Sequence, residues 1–175
     1  FVGRLKKEKG VFELARAFAN ISKERNDVAL CFVGPDEENI QDDLNSITLD
    51  CNGTVLFVPY TTAPEDYFTT SDIYCLPSYR EGFGSTIIEA AACGIPAIGS
   101  NIYGITDAII DGETGVLVEK GNVDALASAM LSLANDPSIR KKMGELAKQR
   151  VLEKFHQQRL SDELMKVIKQ QSDHV

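Results

Sequence analysis

Two carboxylates, Glu81 and Glu89, stand with seven residues between them in "REGFGSTIIEA", on either side of a glycine-bracketed phenylalanine, Phe83. A helix is expected to begin just after Gly84. The second carboxylate lies inside residues 87–93, an otherwise apolar run, where a buried charge is costly unless something pairs with it. Gly82 and Gly84 permit a sharp turn that aims consecutive backbone N–H groups at one centre, and the helix dipole behind them favours an anion there. Glu81, on the loop, could then accept from sugar hydroxyls beside that anion, and Glu89, one turn into the helix, from a vicinal pair of hydroxyls. A ligand-free reading competes on equal terms. Thr86-x-x-Glu89 fits a capping box, in which Glu89 turns back to the Thr86 N–H.

A second segment, "VGRLKKEKG" at residues 2–10, carries Arg4 and Lys9 around a turn that Gly3 and Gly10 would keep tight. A guanidinium and an ammonium so placed suit a diphosphate. The same lysines equally suit a solvated basic turn, and spacing alone favours that plainer reading.

Composition narrows the classes. The 175 residues suit one domain, with 43% hydrophobic and 25% charged residues, as in ordinary soluble domains. A net charge of −8 argues against a nucleic-acid partner, though a local pair of cations can still hold one small anion. The four cysteines are dispersed without a Cys-x-x-Cys pair, which argues against zinc, and Cys31, Cys75 and Cys93 read as buried thiols in a reducing compartment. No apolar run reaches the roughly 18 residues of a membrane span. His156 and His174 both fall in the C-terminal stretch and read as surface residues.

These residues need a frame. Short apolar runs at 28–34, 54–59, 72–77, 96–100 and 114–118 alternate with helical patterns at 10–25, 36–51, 64–71 and after Gly84, and "FVG" reads as the end of a further strand. Val11, Leu14, Ala15, Phe18 and Ile21 mark the buried stripe of the first helix. Most strands lack a period-two polar alternation, so each should be covered on both sides. The expected fold is α/β, one doubly wound, mostly parallel sheet with helices on both faces, ending in a helical tail at 123–134, 137–153 and 156–171. In such a sheet the ligand sits at the carboxyl ends of the strands, where the turns after "FVG", "YCLPS" and "PAIGS" converge.

Taken together, "VGRLKKEKG", "SDIYCLPSYREGFGSTIIEAAACGIPAIGS" and "DGETGVLVEKGNVDALASAM" resemble the retaining nucleotide-sugar glycosyltransferases of family 4, over nearly the whole chain. The likeness is to the C-terminal, Rossmann-like donor-binding half of their two-domain GT-B fold. The resemblance implies that Glu81 contacts the donor sugar, that Glu89 binds the nucleotide ribose, and that Arg4 and Lys9 hold the diphosphate near the N–H groups of Gly84, Ser85 and Thr86. Gly3, Gly82 and Phe83 complete the implied donor-binding set, with Glu81, Arg4 and Lys9 as the groups acting on the reaction. No cofactor and no metal are implied, and the sequence holds no Asp-x-Asp to grip one.

A UDP-hexose or UDP-N-acetylhexosamine is the donor expected from the family's spread, with GDP and ADP sugars open. The acceptor is expected to be a glycan or a lipid-linked sugar held by an N-terminal domain not present in this sequence, which begins at Phe1 without an initiator Met. The resemblance further implies a cytoplasmic enzyme, peripherally associated with the inner face of a membrane, working in cell-surface polysaccharide synthesis. One segment departs from the family pattern. After "GIP" the family often has Gly-Gly and then Glu, whereas residues 101–107 here read "NIYGITD", so Tyr103 and Asp107 alter the wall against the sugar. Two rival readings are a GT-B epimerase or phosphorylase, the latter lacking a recognisable pyridoxal lysine, and a non-catalytic flavodoxin-like nucleotide-binding module.

Overall fold

The computed structural model describes residues 1–155; the helix expected over 156–171, and both histidines, lie outside the described residues. Parallel strands form the centre. β1 (Ala29–Val33) pairs with β2 (Thr54–Val58), while β3 (Tyr74–Leu76), β4 (Ala97–Ser100) and β5 (Gly115–Val118) form a second parallel set in that order. The leading segment runs beside β1, with the Val33 N–H bonding the Phe1 carbonyl and the Gly3 N–H bonding the Val33 carbonyl. From that segment the chain proceeds outward through β1 and β2, then returns to build β3, β4 and β5 on the other side. The Tyr74 hydroxyl of β3, 3.1 Å from the Val2 carbonyl, ties the two halves at the reversal.

The helices fall into two packed groups. α1 (Val11–Ile21) contacts α2 (Gln41–Thr48) and α5 (Val123–Asn135), whereas α4 (Ser85–Ala92) contacts α3 (Pro64–Thr69) and α6 (Pro137–Lys154). The stripe expected on α1 is the one buried: Val11, Leu14, Ala15, Phe18 and Ile21 all face the core. Polar side chains start the two long C-terminal helices. The Asn122 amide oxygen accepts from the Ala125 N–H, and Asp136 accepts from the N–H groups of Ser138 and Ile139, with Pro137 supplying a preset φ at the first helical position.

Two expectations change. The acidic helix predicted over 36–51 is shorter, because the Asp36 carboxylate takes the N–H groups of Glu38, Ile40 and Gln41 and holds residues 36–40 as a loop. β2 is not covered on both faces. It ends its strand order, and Leu56 there is exposed. An edge strand meets fewer neighbours, so an apolar run alone does not reveal which strand is central.

α6 is seated by a glycine rather than by a stripe of large side chains. A Cβ at Gly144 would lie 1.9 Å from the Gly94 carbonyl oxygen, which follows α4, and 3.4 Å from Pro96. Alanine at 144 gains about 1 kcal/mol of helix propensity. Against that, forcing the helix off a backbone contact costs typically 1–3 kcal/mol, sometimes more. Gly144→Ala is therefore expected to lower stability in urea denaturation; an unchanged or raised midpoint would show that α6 is not seated by this contact.

Candidate functional site

The first turn and the loop after β3 lie against each other. Lys7–Lys9 form a short 3-10 turn, closed by Gly10 at φ 70°, which also starts α1. Positive φ is one reason for glycine there; the other is that a Cβ would sit 2.0 Å from the Pro77 carbonyl oxygen. Beside this contact the Tyr79 N–H donates to the Glu8 carbonyl at 2.8 Å. Two backbones locked at that distance bring Lys9 and Glu81 together: the ammonium is 2.6 Å from Glu81 Oε1, and the Ser78 hydroxyl donates to the same oxygen at 2.9 Å. Both side chains of the pair are largely buried, at 16% and 13% exposure.

The helix after this loop is distinctive at its N-terminus. Gly84, in the left-handed region at φ 61°, precedes Ser85, and no side chain caps the first turn of α4. Nor does that turn contain a carboxylate, although the first turns of α1, α2, α3 and α5 each do. Among the described residues, then, the first turn of α4 supplies neither a cap nor a carboxylate to offset the positive end of its dipole.

Thr86 has a different role from the one a capping box would give it. Its hydroxyl lies 2.7 Å from the Tyr74 hydroxyl. Because the Val2 carbonyl can only accept, the Tyr74 proton goes to Val2, and Thr86 donates to the tyrosine oxygen. Burial pushes the Tyr74 phenol far above its ordinary pKa, so it remains protonated and this bridge persists at any working pH. Helix α4 starts at Ser85 rather than after Thr86, so the capping box does not form.

Glu89 corrects the sequence expectation as well. On α4 the buried positions are Ile87, Ala90 and Ala91, and Glu89 points away from them and is exposed. Apolar flanking residues put no burden on it, because helical geometry separates chain neighbours by about 100°. Partial desolvation first, and the nearby Glu65 carboxylate second, still hold its pKa above the ordinary value.

Arg4 is not drawn into the cluster. Its guanidinium is 54% exposed and 3.5 Å from Glu37, a carboxylate that also takes Lys6 at 2.7 Å. Gly3 precedes it with extended, positive φ (149°), and Gly82 has open space around its α-carbon. Phe83 is exposed on the loop, with its ring edge-on to Phe155 at 5.7 Å between centroids. Residues 102–109 coil beneath that loop, and a Cβ at Gly104 would meet the Glu81 and Gly82 carbonyl oxygens at 2.6 and 2.9 Å. Tyr103 stands out from this turn, 82% exposed.

Three contributors escaped the sequence reading: Ser78, Tyr74 and Gly104. Tyr74 alone left a signal, a polar-tipped side chain in a strand otherwise apolar. An open cavity of about 670 Å³ is lined by Lys7 and Arg16 together with Glu8, Glu13 and Asp43, and includes neither Lys9 nor Glu81. Its mixed charges give no net attraction for a diphosphate. The candidate site is therefore the seam at the strand ends.

Residues 1–150 match the family model described as glycosyl transferases group 1. The chain belongs to that family.

Among its relatives is the capsular polysaccharide biosynthesis glycosyltransferase CapM of Staphylococcus aureus, 36% identical over 94% of this chain and 43% of that protein. Another is the N-acetyl-alpha-D-glucosaminyl L-malate synthase of Bacillus anthracis, 32% identical over 91% of this chain and 42% of the relative. The chain thus spans less than half the length of these relatives. Of solved structures, sucrose-phosphate synthase from Thermosynechococcus elongatus superposes with a TM-score of 0.85 at 28% identity, covering 99% of this chain and 45% of that one. HepE from Anabaena, solved with UDP and glucose, shares the fold at TM-score 0.85 and 20% identity, over 97% of this chain and 47% of its own. The expected α/β doubly wound domain of GT-B type is the observed one.

The Lys9–Glu81 contact generates a test independent of any ligand. Removing one partner strands a largely buried charge, while removing both does not. A double-mutant cycle of Lys9→Met and Glu81→Gln is expected to give a coupling of about 1–3 kcal/mol in chemical denaturation. Additive losses would mean that the pair exerts no mutual hold.

Proposed function

We propose that this chain is the donor-binding domain of a retaining family 4 hexosyl- or N-acetylhexosaminyltransferase, taking a UDP sugar. One observation carries the reading: Lys9 and Glu81 meet at the carboxyl ends of the strands, at the reversal of the sheet, beside the uncapped and carboxylate-free start of α4. That is where an open α/β sheet binds its ligand, and the charges suit a diphosphate with a hydroxylated group next to it. The family membership and the UDP and glucose bound to HepE support the same ligand class.

In this reading Lys9 and the amides of Gly84, Ser85 and Thr86 receive the diphosphate, and Arg4 swings from its loose hold on Glu37 to join them. Glu81, with Ser78 fixing one of its oxygens, keeps the other for sugar hydroxyls. Glu89 accepts from the ribose, its exposure leaving room for that ligand. The acceptor oxygen bonds the anomeric carbon on the face from which UDP departs, as the bond from that carbon to the phosphate oxygen breaks, and the hydroxyl proton passes to the departing diphosphate. As UDP leaves, negative charge grows on its diphosphate, and Lys9, Arg4 and the α4 dipole stabilise it without a metal. The acceptor, a glycan or lipid-linked sugar, belongs to the remainder of a longer enzyme that works in the cytoplasm, peripherally at the inner membrane face, in polysaccharide synthesis.

Calorimetric titration with UDP, GDP and ADP tests the diphosphate role. UDP is expected to bind, insensitively to EDTA, and Lys9→Ala or Arg4→Ala to weaken it; in the whole enzyme each is expected to slow transfer by about two to three decades, as loss of an oxyanion donor does. Unchanged affinity in both variants, or loss of binding on chelation, would refute the assignment.

Glu89→Gln separates ribose binding from support of the helix. A neutral amide replaces one acceptor oxygen with a donor, so UDP affinity is expected to fall about ten- to a hundredfold. Stability should move the other way. A carboxyl whose folded pKa is raised destabilises the fold above that pKa and has no effect below its unfolded value, near 4.5. The variant should therefore melt at or above the wild-type temperature at pH 7, and the difference should close as the pH falls toward 4.5. A lower melting temperature with unchanged affinity would reassign Glu89 to the helix alone.

A further inference from the structure

We propose that Arg150 and Phe155, at the C-terminal end of α6, are positioning residues that set the wall against the donor sugar; the inference rests on the donor-binding reading above. Two separate loops form that wall, residues 81–84 and the coiled turn 102–109, and α6 reaches both. Arg150 Nη2 donates to the Asp107 carbonyl at 2.8 Å. Its guanidinium carbon also lies 5.6 Å from the centre of the Phe155 ring, and that ring meets Phe83 edge-on. One cation and one aromatic ring thus link the loop bearing Glu81 to the turn bearing Tyr103.

The geometry makes this a strut rather than a chance surface contact. Residues 102–109 are wound helically, with the N–H groups of Thr106 and Ile109 bonded to the carbonyls of Ile102 and Ile105. Asp107 lies in the last turn of this coil, where carbonyls lack helical partners and a cation is favoured. The front of the coil carries Gly104, pressed against the Glu81 and Gly82 carbonyls. A pull on the back therefore changes how the front closes on the Glu81 loop. Behind Arg150, α6 is fixed: Gly144 abuts Gly94, and Arg140 donates to the Leu133 and Ala134 carbonyls and to Asp72. The Arg150 Nε is buried without a partner among the described residues, so the guanidinium is held by its stacking and by Asp107 rather than by a full set of hydrogen bonds.

The nucleotide end of the ligand depends less on this strut than the sugar end does. The main anchors of Lys9 and of α4 are the Gly10–Pro77 and Tyr74–Thr86 contacts, which involve neither residue of the pair; Gly84 alone also abuts the turn, at Gly104. The consequence is a selective defect: loosening the strut should weaken ligands that carry a sugar and spare those that do not. Loss of general structural support would weaken both alike.

The test compares UDP, UDP-glucose and UDP-N-acetylglucosamine by calorimetry on the 175-residue chain, with wild type, Arg150→Ala, Arg150→Lys and Phe155→Ala. Arg150→Ala is expected to lose about tenfold in affinity for whichever UDP sugar binds and less than about twofold for UDP, the larger figure being that of one lost hydrogen bond. Arg150→Lys, which keeps a donor for Asp107 without the planar stack, should recover part of the loss. Phe155→Ala, at the end of α6, should show the same selectivity and serves if Arg150→Ala does not fold. Equal losses for UDP and UDP sugar, or no loss in a folded variant, would overturn the strut while leaving the donor-binding reading intact. A wild-type chain that binds none of the three ligands would overturn that reading and the strut with it.

Discussion

The carboxyl edge of this domain depends on how closely the first turn approaches the loop after β3. Gly10 faces the Pro77 carbonyl across a gap that no side chain could occupy, and the Glu8 carbonyl accepts from the Tyr79 N–H. A chain that reverses its direction of sheet building leaves a crevice where the two halves meet, and here backbone contact keeps it narrow. Lys9 and Glu81, far apart in sequence, are forced into one another's reach by it. Their contact is consequently a property of the backbone first and of the charges second.

A similar division of labour holds the start of α4. Its amides face the seam without an internal cap, which would leave the helix poorly located if nothing else fixed it. Tyr74 supplies the fixing from below, by holding the Val2 carbonyl and accepting from Thr86 with one buried hydroxyl. The hydrogen-bonding capacity of Thr86 is thereby spent on location, and among the described residues no side chain caps the amides. A helix N-terminus capped by its own carboxylate would be more stable and less useful for receiving an anion.

α6 extends this logic to the far side of the site. Its glycine contact with Gly94 sets where the helix lies, and its last turn then touches Asp107 and Phe83 through Arg150 and Phe155. Segments distant in the chain thus act on the same few loop residues. The hydrophobic core links them, since residues of both strand sets and of α1, α4 and α5 belong to one buried cluster.

Much of the architecture is legible in the sequence. Alternation of apolar runs with helical spacing determined the doubly wound fold, and the α1 stripe named its buried residues correctly, because local periodicity records which face of an element meets the core. Gly10 and Gly84 were legible for the same kind of reason: turns with positive φ select glycine. What the sequence could not decide was direction and partnership. Glu89 looked trapped among apolar neighbours, yet the rotation of α4 turns it outward; Thr86 looked like a cap, yet its partner is Tyr74. Arg4 and Lys9 looked equivalent, yet one pairs loosely with Glu37 in solvent and the other is buried against Glu81. Each of these outcomes depends on what a different part of the chain places across a gap of a few ångströms, and a one-dimensional pattern carries no such distances.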